Sequence, residues 1–326
     1  MRYRRFGRTG LQVSELVLGG GWVGGLLIRG DDETRRKAIR MALDGGINWI
    51  DTAASYGDGK SEEALGWLLE EIEEKPYLST KFSVDPARGD IAGQIERSFE
   101  ASLERLRRSS VDLLQLHNRI GPGSEERTIG VEHVLGRGGV ADALDSLREH
   151  GLTRFVGITA LGDAKALKQV IASDRFDSAQ VYYNLLNPSA GRLMPAGWPV
   201  QDFENLIATC REHDVAVMDI RVLAAGVIAT DERHGREGML TEGTTLSDEE
   251  RRARKAFEVL GDAYGTRAQT AIRFALANPD LACVLVGVAE LRHLEEALAG
   301  AEMGPLPPEA LARLEPLYAS DFGRVG

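Results

Sequence analysis

The chain alternates short apolar runs with longer amphipathic stretches over most of its length. Short apolar runs are typical of strands buried on both faces, and apolar residues at three- and four-residue intervals are typical of helices that pack on a sheet. The runs are ELVLG from Glu15, INWID from Ile47, YLSTK from Tyr77, VDLLQLH from Val111, RFVGIT from Arg154, SAQVYYN from Ser178, VAVMDIR from Val215 and ACVLVG from Ala282. This order predicts a parallel sheet, and eight repeats favour a closed (β/α)8 TIM barrel over an open sheet.

Start and stop signals mark the helices between these runs. Asp31 and Asp32 offer N-caps before ETRRKAIRMAL, and Gly45 and Gly46 supply a left-handed stop after it. In the range 91–106, apolar residues recur at helical spacing and predict a stripe that packs on the sheet.

The segment before the first predicted strand departs from the repeat. It reads RYRRFGRTGLQVS and alternates polar and apolar residues around Arg8, Thr9 and Gly10. This pattern predicts an N-terminal β-hairpin, which we expect to close the floor of the barrel.

A second departure lies between the seventh and eighth predicted strands, where the connection is unusually long. It holds a Gly/Thr-rich loop near 235–245, a charged helix from about Ser247 and another helix from about Thr266. One helix completes the repeat, so the first of the two is additional. A last helix after Pro308 leads into the tail DFGRVG, which we expect to reach back over the barrel mouth.

Composition narrows the range of functions. The 326 residues, 43% of them hydrophobic, can bury one large core, and we predict a single barrel domain over 1–326. A formal net charge of -11 argues against a nucleic-acid or anionic-membrane partner, because both need a basic surface. Cys210 and Cys283 indicate neither a disulfide framework nor a metal site, and no stretch approaches a membrane span. We expect a reduced, cytoplasmic protein without a metal.

Four polar residues lie at or just beyond the ends of predicted strands. Asp51 ends INWID, Tyr56 lies just beyond it, Lys81 follows YLST and His117 follows VDLLQL. Because the carboxyl ends of barrel strands meet at one mouth, these side chains should converge there. Taken singly, each has a structural explanation, such as a hydrogen bond from Asp51 to the turn at Thr52 or a solvated strand end at Lys81.

Together the four residues form a proton donor with groups that tune it. A free phenol has a pKa of about 10 and donates poorly at neutral pH unless its anion is stabilised. Lys81 would supply the stabilising cation, and a lysine in a dry pocket needs a carboxylate such as Asp51 to stay charged. His117 can hydrogen-bond a carbonyl oxygen beside the phenol. The set suits protonation of a developing alkoxide, and the accompanying hydride requires a cofactor.

The first loop allows a different interpretation. Residues 19–24 read GGGWVG, which matches G-x-G-x-x-G after a strand, and Asp51 would then be the ribose-binding acid of a Rossmann fold. In that fold the glycine turn opens the helix, whereas LLIRGDD intervenes here before the capping signal at Asp31 or Asp32. We therefore favour a flexible loop at the barrel mouth.

The strings NWIDTAASYG, STK and LQLH closely resemble the aldo-keto reductase superfamily, and the resemblance covers nearly the whole chain. It implies a (β/α)8 barrel that binds NADPH or NADH, with Tyr56 as general acid/base. It further implies that Lys81 and Asp51 tune Tyr56 and that His117 orients the carbonyl. The stretches IRVLAAG and LHNR look more like bacterial sugar-oxidising members than like mammalian aldose reductases.

The resemblance also implies cofactor contacts, which this sequence matches only in part. Thr159 and Ala160 stand where a Ser-Asn pair usually holds the nicotinamide carboxamide, and Gln180 matches the glutamine that helps. Ile220 and Arg221 replace the Tyr-Ser of a Y-S-P-L string, so the stacking tyrosine is lost, and Arg221 could meet a cofactor phosphate. The expected cofactor contacts are Gly20, Gly21, Thr159, Gln180, Ile220, Arg221, Leu223, Gly226, Gly287, Glu290, His293 and Glu296.

In this family, the residues that discriminate between NADPH and NADH usually follow the eighth strand. NADPH-preferring relatives place cations and small hydroxyl residues near the 2′-phosphate, whereas this chain has Ala289 and Glu290, with Arg292 or His293 as cations. The carboxylate of Glu290 would repel that phosphate, or it would accept a hydrogen bond from the free 2′-hydroxyl of NADH. The alternative is a structural role, in which the charge of Glu290 only stabilises the N-terminus of the following helix. NADP(H) is slightly favoured by the family at large, and NAD(H) stays open.

The substrate pocket is the least specified part of the site. Trp22, Asn118 and Trp198 are its candidates and suit a sugar or small aldehyde, although both tryptophans could equally be packing residues. The leading hypothesis is a nicotinamide-dependent oxidoreductase acting on an aldehyde, ketone or sugar. A nucleotide-binding regulatory subunit without turnover is a second hypothesis, and a Schiff-base aldolase using Lys81 is a third. The physiological substrate, the reaction direction and the oligomeric state stay open.

Overall fold

The computed structural model describes residues 1–122, 128–233, 235, 237 and 243–323, and its centre is a closed barrel of eight parallel strands. The strands of the chain are β1 Tyr3–Arg5, β2 Gln12–Ser14, β3 Leu16–Gly19, β4 Trp49–Asp51, β5 Tyr77–Phe82, β6 Val111–Leu116, β7 Arg119–Ile120, β8 Thr128–Ile129, β9 Thr153–Ala160, β10 Ser178–Tyr182, β11 Ala216–Ile220 and β12 Cys283–Gly287. The barrel runs β3-β4-β5-β6-β9-β10-β11-β12, and β12 pairs with β3. The eight predicted strands and the (β/α)8 class are confirmed. The Rossmann interpretation is wrong, because the sheet closes on itself.

Helices surround the barrel. They are α1 Leu26–Arg29, α2 Asp32–Asp44, α3 Lys60–Leu68, α4 Ile91–Leu106, α5 Val131–Leu135, α6 Val140–Glu149, α7 Ala164–Ile171, α8 Leu206–Glu212, α9 Leu246–Leu260, α10 Arg267–Leu276, α11 Leu291–Met303 and α12 Pro308–Ala319. The predicted N-cap Asp31 accepts a hydrogen bond from the Thr34 amide at the start of α2. On α4, the buried residues Ile95, Phe99 and Leu106 form the predicted stripe that faces the sheet.

The predicted N-terminal hairpin consists of β1 and β2, and it closes the barrel floor. Phe6, between the two strands, is fully buried, and its ring centroid lies 4.8 Å from that of Trp49 inside the barrel. Gly7 has φ +47° and lies so close to Ala216 that a side chain there would collide with the Ala216 backbone nitrogen. Full burial of a phenylalanine contributes about 1.5–3 kcal/mol, so the hairpin also stabilises the barrel.

The additional helix after the seventh barrel strand is α9. It begins at Leu246 behind a capping box formed by Thr245 and Asp248. The helix that completes the repeat is α10, with Thr266 as its N-cap. Of the Gly/Thr-rich loop near 235–245, residues 236 and 238–242 lie outside the described part of the chain.

The tail after α12 packs against α9 at the barrel mouth. Phe322 is fully buried with its ring centroid 5.7 Å from that of Tyr318, and Asp321 pairs with Arg252 of α9 at 2.7 Å. The hydroxyl of Tyr318 donates to the carbonyl of Leu185, in the loop after β10. The tail therefore returns toward the mouth as expected, while residues 324–326 lie outside the described residues.

The barrel interior changes from apolar to polar along its axis. Side chains alternate between the interior and the helical layer along each strand. Trp49, Leu113 and Met218 fill the interior near the floor, whereas Asp51 and Lys81 lie nearer the carboxyl ends of the strands. Over the described residues, no helix combines the length and apolar character that a membrane crossing needs.

Candidate active site

Asp51 and Lys81 form a buried ion pair inside the barrel mouth. Asp51 ends β4, Lys81 lies near the end of the neighbouring β5, and both residues are 1% exposed. The Nζ atom of Lys81 donates to Oδ2 of Asp51 at 2.5 Å and to the backbone carbonyl of Thr52 at 2.7 Å. Both charged groups face inward because the alternation along two adjacent strands places them on the interior face.

Tyr56 completes the contacts of this ammonium group. It lies in the loop between β4 and α3, and its hydroxyl accepts from Nζ of Lys81 at 3.3 Å. The same Nζ lies 4.8 Å from the centroid of the Tyr56 ring. The three ammonium protons of Lys81 therefore have three oxygen partners, one of which is the partly buried phenol at the mouth.

These contacts keep Lys81 charged. Burial by itself would lower the pKa of Lys81, but the nearby Asp51 carboxylate and Tyr56 hydroxyl outweigh burial, so the pKa is raised above its usual value. A charged amine is not a nucleophile, because it has no lone pair to attack a carbonyl carbon. The contacts argue against the Schiff-base aldolase and favour a cation that stabilises a phenolate.

Three further side chains hold the carboxylate of Asp51. Its Oδ1 atom accepts from Ser79 Oγ at 2.7 Å, from Gln180 Nε2 at 2.9 Å and from Gln115 Nε2 at 3.2 Å. Both carboxylate oxygens are therefore hydrogen-bonded, as a buried charge requires. Gln180, expected to contact the cofactor, also contributes directly to the position of Asp51.

The sequence analysis missed Ser79 and Gln115 as members of the site. Ser79 lies on β5, two residues before Lys81. Gln115 lies on β6, two residues before His117. Because strand side chains repeat with a period of two, these spacings put them on the same face as the residues that were found. Polar residues at even spacing from a candidate catalytic group were the available signal.

His117 stands beside the phenol. Its ring centroid lies 5.7 Å from that of Tyr56 with an edge-to-face angle of 81°, and its Nδ1 lies 3.5 Å from Oγ of Ser55. The imidazole therefore flanks the place where a carbonyl oxygen would sit to receive the phenol proton. The structure brings Asp51, Tyr56, Lys81 and His117 together, as the sequence predicted.

Thr159 presents a buried polar atom on the interior face of the barrel. Thr159 and Gln180 are paired on neighbouring strands β9 and β10, and their side chains share the interior face. The Thr159 hydroxyl is buried and has no hydrogen-bond partner among the described residues, a condition that costs free energy. Space is open above Gly226 and Gly287, where an added side chain would meet no atom within 4 Å. These features fit a polar cofactor lying along this rim.

The glycine loop after β3 reaches the edge of the site. The Gly20 amide donates to the carbonyl of Asp51 at 2.8 Å, and a side chain at Gly20 would collide with Oγ of Ser61. A side chain at Gly21 would come within 3.8 Å of the Tyr56 ring. The absence of a side chain at Gly20 thus lets the backbone approach the end of β4, whereas a side chain at Gly21 would make only an ordinary contact with the phenol ring.

Four of the expected cofactor contacts, Ile220, Arg221, Leu223 and Gly226, lie at the end of β11 or in the loop after it. Ile220, Arg221 and Leu223 are partly exposed at the mouth. Arg221 has φ +63°, a left-handed conformation that is uncommon for arginine, and its guanidinium lies 5.7 Å from the centroid of the Tyr182 ring. No sequence pattern around Arg221 predicted this conformation.

The expected specificity residues lie around the N-terminus of α11. Glu290 is the residue before the helix, caps no backbone amide with its side chain and pairs with Arg292 at 2.7 Å. The Ala289 amide donates to Nδ1 of His293 at 3.4 Å, and the Thr266 hydroxyl donates to Glu296. The carboxylate of Glu290 is therefore at the surface, and it is paired with the cation that could otherwise meet a 2′-phosphate.

The three substrate-pocket candidates differ in their surroundings. Trp22 is 53% exposed, with the Arg29 guanidinium 5.7 Å from its ring centroid. Asn118 is buried, and its amide accepts from the Val84 nitrogen at 2.9 Å and donates to the Val84 carbonyl at 2.8 Å, so it ties the loops after β5 and β6 together. The guanidinium carbon of Arg252 lies 5.5 Å from the centroid of the Trp198 ring. Of the three, Trp22 alone presents a largely exposed ring.

A parallel barrel with a polar site at the carboxyl ends of its strands is the arrangement of a barrel enzyme, and the comparisons with known proteins identify its family. The model of the aldo/keto reductase family matches residues 15–319, and the chain belongs to this family. Aldo-keto reductases use nicotinamide cofactors, and the family supports an oxidoreductase that interconverts carbonyl and alcohol groups.

Individual relatives are distant. The chain is 28% identical to L-galactose dehydrogenase of Arabidopsis thaliana over 303 residues, covering 91% of this chain and 86% of that one. It is 23% identical to a probable voltage-gated potassium channel subunit beta of Oryza sativa subsp. japonica, covering 98% and 97%. A solved aldo-keto reductase from Bacillus halodurans in its holo form superposes with a TM-score of 0.75 at 22% identity, covering 98% and 96%, and it shares the fold.

Proposed function

We propose that this protein is an NAD(P)-dependent oxidoreductase that interconverts an aldehyde, ketone or sugar carbonyl with an alcohol, using Tyr56 as general acid/base. The observation that carries the proposal is that the ammonium group of Lys81 donates hydrogen bonds both to Asp51 and to the Tyr56 hydroxyl. This chain of contacts gives the phenol a buried cation beside its oxygen, which stabilises the phenolate left after proton transfer.

The proton chemistry follows from these positions. In the direction of reduction, the O–H bond of Tyr56 breaks and its proton moves to the carbonyl oxygen as that oxygen becomes an alkoxide. Lys81 offsets the negative charge left on the phenol, and Asp51 holds Lys81 in place. His117 donates a hydrogen bond that orients the same carbonyl oxygen. In the direction of oxidation, the phenolate takes the proton back.

The cofactor supplies the hydride that no side chain can provide. The buried Thr159 hydroxyl without a partner and the open faces of Gly226 and Gly287 support a nicotinamide dinucleotide along the rim from β9 to β12. The residues that would hold it are Gly20, Gly21, Thr159, Gln180, Ile220, Arg221, Leu223, Gly226, Gly287, Glu290, His293 and Glu296. The pairing of Glu290 with Arg292 supports use of NADH, and the family at large slightly favours NADPH.

The substrate is a small-molecule carbonyl compound or sugar, which Trp22 at the mouth could contact with its exposed ring. The relative named L-galactose dehydrogenase supports a sugar. We place the protein in the cytoplasm, in line with its two unpaired, buried cysteines, Cys210 and Cys283.

A second candidate function is a nucleotide-binding regulatory subunit with no significant turnover. The similarity to potassium channel beta subunits supports it. Such a subunit would bind NADPH or NADH and show no turnover on a panel of aldehydes, ketones and sugars. The complete set of contacts around Tyr56 favours the enzyme.

The proposal is tested by Tyr56→Phe, which removes the proton donor and keeps the ring. We expect kcat/KM for carbonyl reduction to fall about 10²- to 10⁴-fold, because this is the usual contribution of a positioned general acid. Dissociation constants for NADPH and NADH, measured by fluorescence quenching, should stay near those of the wild type. Tyr3→Phe, in the hairpin at the opposite end of the barrel, is the matched control. Full activity in Tyr56→Phe would contradict the acid role.

A further inference from the structure

Trp49 lies beneath the buried ion pair of the site, on the same face of β4 as Asp51. It precedes Asp51 by two residues and is fully buried in the barrel interior. Its Nε1 atom donates to Oγ of Ser79 at 2.9 Å, and Ser79 Oγ donates to Oδ1 of Asp51 at 2.7 Å. A side chain of the barrel floor is therefore linked, through one hydroxyl group, to the carboxylate that holds Lys81.

The direction of these two hydrogen bonds follows from the groups at their ends. An indole nitrogen can only donate, and an ionised carboxylate can only accept. The Ser79 hydroxyl between them has one proton, so it accepts from Trp49 and directs that proton to Asp51. A serine hydroxyl is free to rotate toward different acceptors, and the indole removes this freedom by occupying the oxygen from the other side.

Gln115, another donor to Asp51, is not supported in this way. Its Nε2 atom donates to Oδ1 at 3.2 Å, but its Oε1 atom is buried with no hydrogen-bond partner among the described residues. In that part of the chain, no partner of Oε1 selects which end of the amide faces the carboxylate. Ser79 makes the shorter hydrogen bond to Asp51 and has a neighbour that orients it.

Aromatic packing holds the indole of Trp49 in place. The ring centroid of Phe6, in the hairpin that closes the floor, lies 4.8 Å from that of Trp49. The ring centroid of Tyr77, the partner of Trp49 on β5, lies 5.4 Å away. Because protein interiors are closely packed, these rings leave the indole little room to turn. Its N–H group therefore stays directed at Ser79.

The hydrogen bonds continue from Asp51 to the barrel mouth. Its Oδ2 atom accepts from Nζ of Lys81 at 2.5 Å, and the same Nζ donates to the Tyr56 hydroxyl at 3.3 Å. The four residues from the indole to the ammonium group are each at most 1% exposed, and hydrogen bonds in such a dry interior polarise one another. A proton directed at Asp51 stabilises its negative charge and leaves the charge of Lys81 more effective at the phenol.

We propose that Trp49 is a positioning residue for proton transfer, because it fixes the Ser79 hydroxyl as a donor to Asp51 and so supports the cation beside Tyr56. This inference rests on the proposed function and adds a residue that acts through others rather than on the substrate. It also gives the floor hairpin a part in catalysis, since Phe6 packs on the indole that begins the series of hydrogen bonds.

The main variant is Trp49→Phe, which removes the N–H group and keeps an aromatic ring. The assay is reduction of glyceraldehyde, or of whichever compound in a panel of aldehydes, ketones and sugars is turned over fastest. We expect kcat/KM to fall about three- to tenfold, the usual net effect of losing one hydrogen bond. Dissociation constants for NADPH and NADH should stay near those of the wild type. Trp67→Phe, on α3 beside Arg36, is the control and should keep full activity.

Two further measurements separate positioning from packing. Adding Trp49→Phe to Ser79→Ala should cause no further loss of kcat/KM, because the indole acts through that hydroxyl. In Trp49→Phe, the alkaline limb of the pH profile of kcat for reduction should move to higher pH, since a phenol beside a less effective cation keeps its proton longer. A packing defect would instead lower kcat by the same factor at every pH.

Three results would overturn the inference: full kcat/KM in Trp49→Phe, losses that multiply in the double variant, or a loss that is equal at every pH. If Trp49→Phe folds poorly, replacement of Trp49 by benzothienylalanine decides the matter, because sulfur takes the place of N–H in a ring of similar shape. Full activity after that replacement would overturn the inference, and the loss expected for Trp49→Phe would support it. Failure of the proposed function itself would appear separately, as full activity in Tyr56→Phe.

Discussion

The side-chain amide of Gln180 donates to Oδ1 of Asp51 at 2.9 Å, although the two residues lie on β10 and β4, on opposite sides of the barrel. The hydrogen bond crosses the barrel interior and links the rim expected to hold the cofactor with the Asp51–Lys81 pair, which we propose tunes Tyr56. The position of Asp51 therefore depends on the closure of the barrel as well as on its own strand.

Gln180→Met tests this link, because methionine keeps the length of the side chain and removes the amide. Asp51 would lose one of its donors, and a hydrogen bond to a charged group contributes about 1.5–3 kcal/mol. We expect the free energy of unfolding, measured in urea, to fall by about that amount, and kcat to fall with it. Gln12→Met, on the exposed face of β2, is the control. An unchanged free energy of unfolding would show that Ser79 and Gln115 suffice to hold Asp51.

Thr159→Val should have opposite effects on the stability of the free protein and on cofactor binding. The Thr159 hydroxyl is buried without a partner, so replacing it with a methyl group should raise the free energy of unfolding by about 1 kcal/mol. If the hydroxyl binds the nicotinamide carboxamide, the dissociation constant for the cofactor should rise about tenfold. Thr153→Val is a contrast on the same strand, because the Thr153 hydroxyl donates to the Phe155 carbonyl at 2.8 Å and its loss should destabilise. A Thr159→Val variant with unchanged cofactor affinity contradicts the role.

Asp219 should make the stability of the protein depend on pH. It faces the helical layer from β11, and its carboxylate oxygens are fully buried without a well-aligned hydrogen bond. Burial raises the pKa of Asp219 well above its usual value, and the Tyr183 amide opposes this only in part. The folded protein then keeps a proton that the unfolded chain releases above about pH 4, so the contribution of Asp219 to stability is present below that pH. It is lost as the pH rises toward the folded pKa.

Asp219→Asn removes this titration with little change in shape. We compare the free energy of unfolding of the variant with that of the wild type, measured in urea at pH 4.5 and at pH 8. We expect this difference to shift in favour of the variant by about 1–3 kcal/mol from pH 4.5 to pH 8. Asp262→Asn, at an exposed position after α9, should show no such pH-dependent difference. An equal difference between wild type and Asp219→Asn at both pH values would show that Asp219 is already ionised in the folded protein.

Glu290→Gln should shift the cofactor preference toward NADPH. The substitution removes a carboxylate that would repel a 2′-phosphate and releases Arg292 from its 2.7 Å ion pair. Because both side chains are exposed, we expect only about a two- to fivefold change in the ratio of the dissociation constants for NADPH and NADH. Parallel fluorescence titrations measure both constants, with Glu295→Gln, an exposed residue on α11, as the control. An unchanged ratio would place the 2′-phosphate away from Glu290.

The repeating units of the fold were readable in the sequence because each is local. A run such as ACVLVG is apolar on both faces, as expected for a strand covered by helices on one side and by the barrel interior on the other. The shortest elements were missed because the prediction depends on a period that takes several residues to appear. The helices α1 and α5 and the strands β7 and β8 are too short to show a period.

The four catalytic candidates were predictable because parallel strands end at the same edge of a barrel. Asp51 and Lys81 lie at or near the ends of their strands and His117 directly follows one, so the order of elements alone brings them to one mouth. The roles of Asn118 and Trp198 could not be predicted in this way. Which neighbour an amide or an indole meets depends on loop conformation and side-chain rotamers.

The sequence by itself thus determined the barrel, its hairpin and the residues at the strand ends, because periodicity and strand order are properties of neighbouring residues. Only the tertiary structure decided which of these residues touch. The hydrogen bond from Gln180 to Asp51, the ion pair of Lys81 with Asp51 and the burial of the Thr159 hydroxyl all depend on how strands far apart in the chain are brought together. Barrel closure and strand register fix those distances, and no local pattern encodes them.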